Sequence, residues 1–226
     1  QWLQQLENMP FLPAKWLAEQ TKSKYWKHGS VSEDYSRIRI PVYAIGGWAD
    51  AYRNTVFRLV ENLSSPCKGL IGPWAHVYPN IAYPSPKMDY VKESVRWWDR
   101  WLKNIDNDIM DEPKLQYFLM DSVKPAVDHK HREGRWQAEQ SWPCASIEQK
   151  QLFLHPGTLA TEPCQEPHTV QVNSPETTGK MGGKLMVGIG YSGEFPADQR
   201  RDDEQSCTFD TQPLEDALNV VGQAVA

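Results

Sequence analysis

Two short segments of matching design end in side chains suited to acid–base work. Ile45-Gly46-Gly47-Trp48-Ala49-Asp50 closes on a carboxylate, and Ile71-Gly72-Pro73-Trp74-Ala75-His76 closes on an imidazole. Each follows an apolar, strand-like run, and a helix-like stretch lies between them. An imidazole titrates near neutrality, so His76 could take a proton from a hydroxyl and return it to a leaving group. A carboxylate bonded to one ring nitrogen would fix the tautomer and stabilise the imidazolium, which is the role open to Asp50. A nucleophilic serine would complete the relay, and the chain order Ser, Asp, His requires it upstream of Asp50. The glycines before each residue suit tight turns leaving a strand.

The other candidates are weaker. Gly190-Tyr191-Ser192-Gly193 has the look of a nucleophile turn, but Glu194 stands where the second glycine of a G-x-S-x-G elbow belongs. Its position also gives the order Asp, His, Ser. Ser192 therefore reads as a turn residue, and Ser30 and Ser32 fail the elbow pattern too. His129 and His131 alternate in a charged loop, yet Lys130 and Arg132 beside them disfavour a divalent cation. Trp97, Trp98 and Trp101 are expected to pack a helix. Trp48 and Trp74 each stand two residues before a candidate catalytic residue and could line a substrate pocket or pack beneath it; the sequence leaves both open. The run Asp198-Gln199-Arg200-Arg201-Asp202-Asp203 reads as a solvated or domain-bridging salt network.

The elements that must position Asp50 and His76 are legible in the apolar pattern. Residues 1–28 show helical spacing through Trp2, Leu3, Leu6 and Met9, interrupted at Pro10 and Pro13, then resumed at Trp16 and Leu17. Ile40–Ile45 predicts a buried parallel strand, Ala51–Leu63 a helix, Lys68–Ile71 a second strand and Met88–Lys103 an amphipathic helix. That alternation means a parallel sheet with helices packed on it. Beyond residue 110 the texture changes. Lys114–Met120 and Gln149–Leu154 are strand-like and helical periodicity fades, which predicts an antiparallel sandwich. Residues 155–184 read as a long turn-rich excursion. Leu218–Ala226 reads as the start of a strand.

Composition excludes several classes. The 226 residues are 40% hydrophobic and 23% charged, ordinary for a globular protein with a real core. A net charge of −5 with scattered Lys and Arg gives no footprint for nucleic acid. No apolar run approaches the ~18–20 residues that span a bilayer, so no membrane partner is expected. Cys67, Cys144, Cys164 and Cys207 show no zinc spacing and read as reduced thiols of a cytoplasmic protein. The chain has no initiator methionine and no signal-peptide pattern, and both ends read as interior positions of a longer polypeptide.

Five elements occur in fixed order: Tyr25-Trp26-Lys27-His28-Gly29-Ser30, the two segments ending in Asp50 and His76, Arg96-Trp97-Trp98-Asp99-Arg100-Trp101-Leu102-Lys103, and Asp111-Glu112-Pro113. Together they closely resemble the CocE/NonD hydrolases, relatives of the X-Pro dipeptidyl-peptidases, cocaine esterase and α-amino-acid ester hydrolases. The resemblance implies an α/β-hydrolase core, an inserted helical cap and a C-terminal jelly-roll β-sandwich. Residues 1–35 would be the end of the cap and the return to the core, 36–110 the C-terminal part of the core, and 111–226 the first part of the sandwich. It makes Asp50 the triad acid and His76 the base, and places the nucleophile and oxyanion hole in a preceding part of the same polypeptide. The implied activity is cleavage of a small-molecule ester or a peptide through an acyl-enzyme, without metal or organic cofactor. The isolated chain is then expected to be inactive, and a homo-oligomer is possible. Two alternatives remain: a non-catalytic module of carbohydrate-binding jelly-roll type, and one half of a two-chain hydrolase.

Overall fold

The computed structural model describes residues 1–166, 168–183, 195–222 and 225. It divides into two compact units, Gln1–Arg39 and Ile40–Ala226.

The first unit holds three short helices, α1 (Trp2–Asn8), α2 (Leu12–Ala18) and α3 (Lys24–His28). Pro13 sits in the first turn of α2, where its missing N–H removes no helical hydrogen bond. Ser23 caps α3 by accepting from Tyr25 N–H at 3.2 Å. The Trp16 indole N–H donates to the Tyr25 hydroxyl at 3.1 Å, and Lys22 pairs with Glu33.

The second unit is built on a mixed four-stranded sheet. Its strands are β1 (Val42–Gly47), β2 (Cys67–Gly72), β3 (Leu115–Met120) and β4 (Gly134–Glu139), in spatial order β1-β2-β3-β4. The first three are parallel, and β4 returns antiparallel to β3. Helix α4 (Arg53–Asn62) links β1 to β2, and α5 (Tyr90–Lys103) lies between β2 and β3 in sequence. Side chains alternate across a strand. Gly46 and Gly69 face α4, where Val56 and Val60 press against them. The other face therefore carries Tyr43, Ile45, Lys68 and Leu70, which meet Trp97 of α5 and the core around Leu70, Trp74 and Ala82. The sheet thus lies between the two helices.

Three expectations are corrected. Leu115–Met120 does not open a separate sandwich. It extends the parallel sheet, with Leu115 fully buried beside Gly69 and the pairing Gly69↔Leu115. A period-two pattern marks a strand but not the sheet it joins. Among the described residues the antiparallel pairing after residue 110 comprises β3–β4 and the small hairpin of β5 (Phe153–His155) and β6 (Thr158–Ala160). The described residues of 218–226 form no strand, and Leu218 and Val220 are exposed. Trp98 is 53% exposed, whereas Trp97 is buried.

The charged run near the C-terminus ends in a short helix. Helix α6 (Arg200–Asp203) buries Asp202, whose carboxylate accepts from Met181 N–H at 2.8 Å, while Arg200 pairs with Asp198. All four cysteines are free. Among the described residues no helix is long and apolar enough to cross a membrane.

Candidate active site

Strands β1 and β2 are parallel neighbours in register from Val42↔Cys67 to Gly47↔Gly72, so their C-terminal ends deliver their following turns to one place. Two main-chain hydrogen bonds join the turns: Trp48 N–H to Gly72 C=O at 2.9 Å, and Ala49 N–H to Trp74 C=O at 3.0 Å. The glycines serve close approach. A Cβ on Gly47 would stand 2.0 Å from the Trp74 carbonyl oxygen, and one on Gly72 would enter the Trp74 indole.

The first turn folds back on itself, with Asp50 N–H donating to Gly47 C=O at 3.1 Å, and then runs into α4. Asp50 is 8% exposed. Its Oδ1 accepts from Tyr52 N–H at 2.8 Å, and its Oδ2 lies 2.9 Å from His76 Nδ1. The His76 side chain is 39% exposed. A carboxylate at Nδ1 holds the proton there and leaves Nε2 as the basic atom. Among the described residues Nε2 has no hydrogen-bond partner. The pair can accept a proton at Nε2 from a hydroxyl or water and stabilise the resulting imidazolium.

The two tryptophans stand apart from the cavity at this pair. Trp74 is buried, with its indole N–H donating to Pro86 C=O at 2.7 Å. Trp48 donates to Phe118 C=O at 2.7 Å and packs on Phe57. A cavity of about 290 Å³ between β1 and α4 reaches Asp50 and His76, walled by Ile45, Tyr52, Thr55 and Leu59 among others, and by neither tryptophan. Neither indole lines that cavity, and both donate to main-chain carbonyls.

Sequence reasoning missed Tyr52. Its ring is 61% exposed and stands edge-on to the His76 imidazole, 5.7 Å between centroids. Its position in the turn that leads from Asp50 into α4 was the available signal. A charged network under the sheet was missed too. Lys68, 2% exposed, donates from Nζ to Ile109 C=O at 2.8 Å and to Glu112 at 2.5 Å. Glu112 also pairs with Arg96, which reaches Glu93 at 2.8 Å, and Glu93 accepts from the Tyr43 hydroxyl at 2.9 Å. Burial and the Glu93 carboxylate push the Tyr43 phenol well up from its usual range. Ser30 and Ser32 hydrogen-bond to each other, and His129 packs edge-on to Phe195. No cluster that could hold a metal occurs among the described residues. Ser192 and its neighbours lie outside the described residues.

Similarity to known proteins agrees with the order of these elements. The family model of X-Pro dipeptidyl-peptidase (S15 family) matches residues 1–78, which contain both Asp50 and His76. That of the X-Pro dipeptidyl-peptidase C-terminal non-catalytic domain matches residues 107–226, more than half of the chain. The chain belongs to the X-Pro dipeptidyl-peptidase family. Two crystal structures of a CocE/NonD family hydrolase from Staphylococcus aureus share its fold over 69% of the chain. They are 16% identical to it, with TM-scores of 0.52 and 0.51. The chain spans 26% of the length of those proteins. No curated protein matches it.

Proposed function

We propose that Asp50 and His76 are the acid and base of a serine hydrolase that cleaves ester or amide bonds, of acyl or X-Pro dipeptidyl type, through an acyl-enzyme. The observation that carries this reading is the 2.9 Å contact of Asp50 Oδ2 with His76 Nδ1, with Nε2 unpaired among the described residues and the His76 side chain partly open to solvent. His76 would take the proton of a serine hydroxyl as that oxygen attacks the acyl carbon, and pass it to the leaving group. It would then activate water to release the acid. Asp50 would hold the imidazole in the tautomer this requires. Tyr52 would face the substrate beside His76.

The serine and the oxyanion donors would come from a preceding part of the same polypeptide, in keeping with the 26% of the related structures that this chain spans. In this reading residues 1–35 close a cap and the sheet from β1 to β3 completes an α/β-hydrolase core, with a jelly-roll sandwich beginning beyond it. The test is turnover of a p-nitrophenyl ester and of an X-Pro p-nitroanilide. The chain alone is expected to give none. The polypeptide extended upstream through a G-x-S-x-G segment is expected to turn over one or both, and to lose that activity in His76→Ala. Equal turnover by His76→Ala would sink the reading.

A further inference from the structure

The segment that follows His76 is closed on itself and then tied to residues far along the chain. Ala75 N–H donates to Tyr83 C=O at 3.0 Å, and the Trp74 indole N–H donates to Pro86 C=O at 2.7 Å. The far end of this loop therefore holds the two residues immediately before His76. Ala82 and Pro84, on either side of Tyr83, are buried. What fixes the far end is Ser85. Its N–H donates to Lys130 C=O at 3.0 Å, and its own C=O accepts from Arg132 N–H at 2.9 Å, a parallel bridge with His131. The Ser85 hydroxyl donates to Lys130 C=O at 3.2 Å and lies 2.8 Å from His131 Nδ1. In the tautomer with the proton on Nδ1 the hydroxyl gives its own proton to Lys130 C=O and accepts from Nδ1–H; in the other tautomer it donates to Nδ1, and the contact is a hydrogen bond in both. His131 Nε2 stands 3.5 Å from Glu133 Oε1. Asp121 N–H donates to Glu133 C=O at 2.9 Å, which sets this segment against the end of β3.

We propose that His131, in the part of the chain matched by the model of a non-catalytic domain, is a positioning residue for His76. It acts through Ser85 and the loop that carries Tyr83 and Pro86. The proposal rests on the reading of Asp50 and His76 as an acid–base pair, and it gives residues 107–226 a part in holding that pair in place. The residue types Ser85, His131 and Glu133 also occur in nucleophile relays. Here the hydroxyl also has a carbonyl acceptor within reach, and the contact serves as a latch.

The chain itself can be tested without substrate. Two measurements by proton NMR separate the proposal from the reading beneath it. The first is hydrogen exchange of the Trp74 indole N–H and the Ala75 amide, which report the loop directly. One side-chain hydrogen bond of this kind corresponds to about a two- to tenfold change in an opening equilibrium. His131→Ala and Ser85→Ala are therefore expected to speed both exchanges by about that factor while the protein stays folded. His131→Asn, whose amide can donate or accept in place of Nδ1, is expected to restore the slow exchange. Unchanged exchange in His131→Ala and Ser85→Ala would overturn the latch. Exchange as fast in His131→Asn as in His131→Ala would overturn the hydrogen bond as its cause. The second measurement is the low-field N–H signal of an imidazole bonded to a carboxylate, assigned to His76 by its loss in His76→Gln. It is expected to broaden in His131→Ala and to stay sharp in His131→Asn, and a signal equally sharp in His131→Ala would remove the coupling to His76. Absence of the signal from the unsubstituted chain would sink the Asp50–His76 reading, and with it His131 as a positioning residue; loop exchange would still judge the latch.

Discussion

Gly47 and Trp74 approach so closely that a Cβ on Gly47 would stand 2.0 Å from the Trp74 carbonyl oxygen. That carbonyl is already the acceptor for Ala49 N–H. The turn that carries Asp50 and the turn that carries His76 are thus joined main chain to main chain, and glycine at position 47 is what permits it. Gly47→Ala should separate the turns. The obstacle is backbone, which yields less easily than a side-chain end, so the cost should reach the upper part of the overpacking range, about 3 kcal/mol. Urea unfolding would measure it. A loss below about 1 kcal/mol would mean that the turns part without strain.

In an active full-length enzyme, Asp50→Asn should lower kcat by a factor on the order of 10⁴, because an amide no longer fixes the imidazole tautomer. Tyr52→Ala should act differently. The Tyr52 side chain makes no bond to Asp50; the contact comes from its backbone N–H, which the substitution keeps. The change is expected to raise KM by about tenfold, the loss of one aromatic contact, with little change in kcat. Steady-state kinetics of the two variants would show whether the relay and the substrate wall are separate.

Much of this arrangement was legible because it is local. The runs Ile40–Ile45 and Lys68–Ile71 predicted parallel strands, and β1 and β2 stand there in register. The helix between them was legible from Val56, Leu59, Val60 and Leu63. The destination of Leu115–Met120 was not, because its pattern fits a parallel neighbour of β2 as well as a sandwich strand. The glycines were assigned to turns, but Gly47 and Gly72 are required by Trp74, a residue of a different segment. Lys68 read as the polar start of a strand. Its burial depends on Glu112 and the Ile109 carbonyl, which the chain brings back from over forty positions away. No local pattern encodes such pairing.

The tryptophans of α5 illustrate the same limit and give a test. Adjacent helical residues differ by about 100° in direction, so Trp97 and Trp98 cannot share an environment. Trp97 lies between Tyr43 and Trp101, with ring centroids 5.3 and 5.7 Å away. Trp98 continues an exposed stripe with Val91, Val95 and Leu102. In this chain Trp97→Ala should cost about 3–5 kcal/mol, and Trp98→Ala less than about 1 kcal/mol. Similar losses at both positions in thermal unfolding would mean that the outer stripe is covered in solution.

Glu112 gives the stability of the chain an acid limb. Burial opposes its ionisation, but hydrogen bonds from Lys68 and Arg96 outweigh this and hold the carboxyl below the ordinary carboxylate range. A carboxyl with a lowered folded pKa stabilises fully above its unfolded pKa. That contribution is lost as pH falls through the ordinary Glu value, near 4.5, toward the lower folded one. Glu112→Ala should therefore flatten the fall in stability with acid. It should also be costly at neutral pH, because it strands the buried Lys68 ammonium on the Ile109 carbonyl alone; removing one partner of a buried pair costs about 3–5 kcal/mol. Lys68→Met should cost less, since it removes the buried charge itself and leaves Glu112 paired with Arg96. Unfolding free energies from about pH 3 to 7 across the carboxylate range would decide. If Lys68→Met proved the more damaging change, or if Glu112→Ala kept the acid limb unaltered, the pair would not be what joins β2 to the segment before β3.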